Sequence, residues 1–143
     1  MPFRYLDDVA TADIAFLAQG PTLETLFRSA AEATIHVMVD NVQSIQPRCQ
    51  RTVVLTADDI ELLLFNFLQE IIYFKDAEKL LLIPGSITIQ SCSGGYDLKS
   101  VLQGEGIEPQ RHHLIVDIKA VTMHLFRVTQ HSQGWEAQVV LDI

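Results

Sequence analysis

Asp142 and Ile143 close a strand-like run, Trp135 to Ile143, so that a side-chain carboxylate and the last α-carboxylate of the chain lie side by side on an extended segment. Alternation along that run puts Trp135, Ala137, Val139, Leu141 and Ile143 on one face and Glu136, Gln138, Val140 and Asp142 on the other. Asp13 opposes Ile14 and Phe16 in the same way. If the first and last strands pair, the two aspartates converge without entering the core. Two carboxylates joined by a terminal carboxylate or a backbone carbonyl make an oxygen-only site, the chemistry of calcium or magnesium rather than zinc. Asp13 can equally serve as a turn cap after Thr11, and a charged strand end can equally be plain surface.

Other chemistry-bearing residues are scattered. His36, His112, His113, His124 and His131 form no HxxH or HExxH pair, and Cys49 and Cys92 match no CxxC pattern, so neither a histidine nor a thiolate zinc site is indicated. No GxSxG elbow, GxxxxGK[ST] loop or GxGxxG turn is present. The chain carries no catalytic machinery legible in its sequence, and the enzyme reading left open is a small metal-dependent hydrolase built on Asp13, Asp142 and His124. Lys119 shares a strand face with Asp117, where it can guard an edge, act as an active group or pair with the aspartate.

These residues need elements to hold them. The alternation from Thr11 to Ala18 predicts a strand, ended by Gly20-Pro21. Thr22 is then a helix N-cap with Glu24 in the first turn, and Leu23, Leu26, Phe27, Ala30, Thr34, Val37 and Met38 recur at helical spacing for about five turns. Asp40 to Pro47 reads as a loop and Arg51 to Thr56 as a short strand. Asp58 and Glu61 resemble a capping box ahead of a second helix that carries Ile60, Leu63, Leu64, Phe67, Leu68 and Ile71. Strands at Leu80 to Gln90 and Tyr96 to Leu102 flank the turn Ser93-Gly94-Gly95, with the helices finished by that point. Gly104 to Pro109 is a polar break, Leu114 to Thr129 one long or bent strand, and Ser132-Gln133-Gly134 the turn into the last strand. The order predicts one α+β domain spanning residues 1–143, a mostly antiparallel sheet with two helices packed on one face.

Of 143 residues, 48% are hydrophobic and 20% charged, enough apolar side chain for a packed core. The net charge of -8 opposes phosphate backbones, which argues against strong direct nucleic-acid binding and for a basic protein partner. The first residues lack a signal-peptide core and no apolar run approaches a membrane span, so a cytoplasmic protein that leaves the membrane alone is expected.

Leu6-Asp7-Asp8-Val9-Ala10-Thr11-Ala12-Asp13-Ile14, the helical segment Asp58 to Glu70, Lys119-Ala120-Val121-Thr122-Met123-His124 and Val139-Val140-Leu141-Asp142-Ile143 occur in an order that resembles the archease family across almost the whole chain. The resemblance implies an SHS2-type α+β core and a divalent ion, calcium, at the C-terminus. It also implies a non-catalytic role as activator of an RtcB-type RNA ligase, promoting its guanylylation and multiple turnover. That ligase joins 2′,3′-cyclic phosphate or 3′-phosphate ends to 5′-hydroxyls with GTP and manganese, in tRNA splicing or RNA repair. On this likeness the metal residues are Asp13, Asp142 and Ile143, while Asp8 and Lys119 are candidate partner contacts. Val9 and Ala10 stand where the fuller family motif has an acidic residue and a histidine, which points to a site with fewer ligands, one that binds metal weakly, or one that borrows Asp8 from a bent strand. A chaperone-like adaptor for another nucleic-acid-processing enzyme is the alternative.

Overall fold

The computed structural model describes residues 2–6 and 13–143. Strand β1 (Phe3–Leu6) precedes β2 (Ile14–Gly20) and helix α1 (Leu23–Met38). The Thr22 hydroxyl accepts from Thr25 N–H at 3.2 Å, and the Thr22 N–H donates back to Thr25 Oγ1 at 3.0 Å. A threonine thus fills the place usually taken by glutamate in a reciprocal cap. Strand β3 (Cys49–Ala57) leads to α2 (Ile60–Glu78), then come β4 (Leu80–Cys92) and β5 (Gly95–Gly106), a short helix α3 (Pro109–His112), β6 (Ala120–His131) and β7 (Gly134–Asp142).

The cap of α2 is Asp59 rather than Asp58: Asp59 Oδ1 accepts from Leu62 N–H at 2.7 Å. Glu61 does not close the box because its carboxylate accepts the Val128 N–H of β6, 2.8 Å away. Helices also continue past the central hairpin, as α3. The long strand expected from Leu114 begins only at Ala120. Upstream of it the backbone is spent elsewhere: Leu114 makes an isolated bridge to Val39, Ile115 N–H donates to Met38 O, and Ile118 O accepts from Lys75.

Among the described residues all strand pairing is antiparallel, and the strands divide into two sheets, ordered β1-β2-β7-β6 and β3-β5-β4, where the sequence suggests one. Helix α1 packs on β1, β2 and β7 and also on β4, while α2 packs on β3, β4 and β5 and also on β6, so both helices are shared between the sheets. Phe16, Phe27 and Phe67 are fully buried at the centre, the last two with ring centroids 5.8 Å apart. The helices also close sheet edges. Glu24 accepts from Ile89 N–H on β4, Gln69 from Val121 N–H and Glu61 from Val128 N–H on β6, and Arg28 donates to the carbonyls of Pro84 and Gly85. Each bond satisfies an edge group that would otherwise offer itself to another chain.

Candidate functional site

Strands β2 and β7 do pair, with Ile14 opposite Leu141, so Asp13 lies level with Asp142 one step beyond. On the other flank of β7, Ala120 pairs with Asp142 and Lys119 N–H donates to Asp142 O at 2.8 Å. Three neighbouring strands therefore bring Asp13, Asp142 and Lys119 to one end of one sheet. Ala137, Val139 and Leu141 belong to the core, so Asp142 falls on the opposite face with Val140. Val140 and its partner Ala15 are nevertheless 0% and 1% exposed, which gives the carboxylates a dry floor. Asp13, Asp142 and Ile143 are half-buried, Ile143 packs against the core, and Lys119 is exposed. Asp8, Val9 and Ala10 lie outside the described residues. Among the described residues no three His, Cys, Asp or Glu side chains group as a metal cluster, so Asp13, Asp142 and His124 do not form the trio that a hydrolase would need. His124 sits instead in a register break of β6 between Thr122 and Arg127.

The segment leading into Lys119 is held by Lys75 of α2. Its ammonium contacts Asp117 at 2.6 Å and Asp76 at 2.5 Å and donates to Ile118 O at 2.7 Å, although the residue is only 5% exposed. Burial works to lower its pKa, but the hydrogen bonds and charges of Asp117 and Asp76 outweigh burial and raise it above the ordinary lysine value.

A second ionisable cluster, absent from the sequence reading, surrounds Glu105 on β5. Arg111 Nη2 lies 2.5 Å and His112 Nε2 2.9 Å from Oε2, and Gln46 N–H donates to the same oxygen at 2.8 Å. The Glu108 N–H donates to His112 Nδ1, which assigns the ring proton to Nε2 and makes His112 a donor to Glu105. Oε1 has Arg48 Nε at 3.3 Å and, among the described residues, no hydrogen bond. The Glu108–Arg111 pair, three residues apart, was the one local sign of this cluster.

The archease protein family model (MTH1598/TM1083) matches residues 3–143. The chain belongs to the archease family. The archease of Methanosarcina mazei is 35% identical over 142 residues, covering 99% of this chain and 95% of that protein, and that of Pyrococcus abyssi is 35% identical over 134 residues, covering 93% and 94%. Among solved structures, Methanobacterium thermoautotrophicum protein 1598 superposes with a TM-score of 0.85 at 30% identity, covering 99% of both chains. An archease from Thermotoga maritima, described as a possible chaperone, shares the fold with a TM-score of 0.60 at 20% identity, covering 96% of both chains. The α+β archease fold is thus common to the family, and the strand end that carries Asp13 and Asp142 is part of it in this chain.

Proposed function

We propose that this archease-family chain is a non-catalytic activator of an RtcB-type RNA ligase, promoting guanylylation and repeated turnover of the ligase in tRNA splicing or RNA repair. A divalent cation, calcium by preference, is held by Asp13, Asp142 and an oxygen of Ile143. The observation that carries the reading is the β2–β7 register, which sets Asp13 level with Asp142 at the sheet end that also bears Lys119. The donors at that end are all hard oxygens, as calcium or magnesium prefers, and two aspartates fall short of the six to eight oxygens of a full calcium shell, so water or further chain oxygens complete it. The bound ion would supply positive charge at an anionic edge. The aspartates would orient that charge, and Lys119, exposed beside them, would meet an acidic group of the ligase or its nucleotide. A net charge of -8 suits approach to a basic RNA-binding enzyme.

The test is RNA ligation by the ligase from the same source, with GTP and manganese and this protein at substoichiometric amounts. Turnover beyond one product per ligase is expected, with loss of that stimulation in the Asp13→Asn, Asp142→Asn double variant. Calorimetric titration with calcium should show binding by the native chain and none by the double variant. Stimulation unchanged by both substitutions would refute the site. A folded native protein that neither binds nor stimulates the ligase would favour the adaptor role suggested by the Thermotoga description.

A further inference from the structure

Each sheet has two end strands, and three of the four are guarded. Strand β4 gives its Ile89 N–H to Glu24 and its Pro84 and Gly85 carbonyls to Arg28, β6 gives the N–H groups of Val121 and Val128 to Gln69 and Glu61, and β1 is only four residues long. Strand β3, nine residues at the end of the three-stranded sheet, is the exception. Its register against β5 runs unbroken from Cys49 to Ala57, it carries no proline or lysine, and its one charged side chain, Arg51, is tied to Glu78 at 2.8 Å. The usual devices that stop an edge from adding a neighbour are missing.

The hairpin between β4 and β5 fixes which groups of β3 point outward. Cys92 faces Gly95 across a two-residue turn, a hydrogen-bonded pair, so alternation commits the odd-numbered residues of β5 to β4 and the even-numbered ones, Tyr96 to Leu102, to β3. Their partners on β3 are the odd-numbered residues Arg51 to Ala57, which leaves the N–H and C=O of Thr52, Val54 and Thr56 aimed away from the sheet. Gln50 O, of the same outward series, accepts from Arg51 Nη1 at 2.7 Å, as this geometry requires. Among the described residues nothing bonds to the outward backbone of the other three, and all three are exposed, Val54 by 68%.

We propose that β3 pairs with β3 of a second copy, antiparallel about a two-fold axis at Val54, joining two three-stranded sheets into one of six strands. A row of alternating backbone donors and acceptors is complemented by another strand, and two identical antiparallel strands do this isologously, leaving neither edge free to propagate. In this register Val54 faces Val54, Thr52 faces Thr56 and Val53 faces Leu55, while Arg51 falls opposite Ala57 and Gln50 opposite Asp58. No like charges oppose each other across the pair, which a chain of net charge -8 needs if it is to meet itself. The hollow beside the edge, lined by Leu55 and by Asn66, Gln69, Glu70 and Tyr73 of α2, then has Arg51 of the second copy on the diagonal from Leu55, toward Glu70. Nine residues a side fall short of the roughly 20–30 of a standard interface, so the dimer is weak and concentration-dependent. Strand β3 lies in the sheet that does not carry Asp13 and Asp142, and the inference does not rest on the activator reading.

The experiment is sedimentation and amide exchange over a dilution series of the full chain. Raising the concentration to about 1 mM, the range of a weak complex, should double the sedimenting mass and slow exchange of the Thr52, Val54 and Thr56 amides at least tenfold, with the odd-numbered amides of β3 unchanged. Val54→Pro deletes an N–H that the fold does not use, so it should keep its melting temperature within a few degrees yet stay monomeric, with fast exchange at Thr52 and Thr56. Val54→Lys, which leaves the backbone intact, should also be monomeric. A native chain that stays monomeric at that concentration would overturn the proposal, as would a dimer that persists in both folded variants. Protection of the three amides only when the ligase is added would make the occupant a strand of the ligase and overturn it as well.

Discussion

Glu105 is 2% exposed and still charged, because its neighbours outbid its burial. Desolvation pushes its pKa up, yet hydrogen bonds from Arg111, His112 and the Gln46 amide bring it down to about 2, from an ordinary 4.5. A carboxylate depressed in the fold stabilises it above its unfolded pKa and loses that contribution as pH falls. The acid limb of a stability-versus-pH curve should therefore begin near pH 4.5 and extend toward pH 2, and Glu105→Gln should flatten it. The same substitution should lower stability at neutral pH, measured by urea unfolding, because a neutral amide replaces the buried charge that Arg111, His112 and the Gln46 amide all address. Sequence inspection missed this cluster because Arg48, Glu105 and His112 meet only through tertiary packing. Asp13 and Asp142 were easier to find, since alternation alone gave their faces and one strand pairing sufficed to unite them.

Helix α2 shows what was legible at the level of elements and what was not. Its apolar stripe reads as Ile60, Leu63, Leu64, Phe67, Leu68 and Ile71, and all of these but the half-buried Ile60 are buried. Glu61 reads locally, as half of a cap with Asp58, whereas it and Gln69, which carried no reading, serve the edge of β6. Glu61→Ala should speed hydrogen exchange at the Val128 amide well above that of β7 amides and cost about 1 kcal/mol, whereas Asp59→Ala, which removes the cap, should cost a similar amount without selective exchange in β6. The break before β6 was invisible for a related reason. Nothing in Leu114 to Ile118 distinguishes a strand from a segment whose Ile115 amide goes to Met38 and whose Ile118 carbonyl goes to Lys75.

For the whole molecule, alternation and periodicity specified strands and helices but not which strand joins which sheet, because that choice depends on contacts between distant residues. Two antiparallel sheets sharing two helices satisfy the same pattern of buried faces as one sheet would. The shared helices make the sheets interdependent. A chain shortened to residues 1–133, without β7, should lose cooperative unfolding throughout rather than in one sheet, seen as collapse of amide dispersion for β3 and β5 as well as β2.

Strand β2 waits for its partner. It spans residues 14–20, whereas β7 spans 134–142, so more than a hundred residues are synthesised between the two halves of the sheet end that unites Asp13 with Asp142. A ribosome delivers the second half long after the first, and a contact so distant in sequence also forms slowly by diffusion. Until then β2 has the four residues of β1 as its paired strand and α1 packed on its face. The pairing that creates the acidic edge therefore reports that β7 has been made: a chain terminated before β7 can own one aspartate but not the pair, and cannot compete for whatever the finished edge recognises.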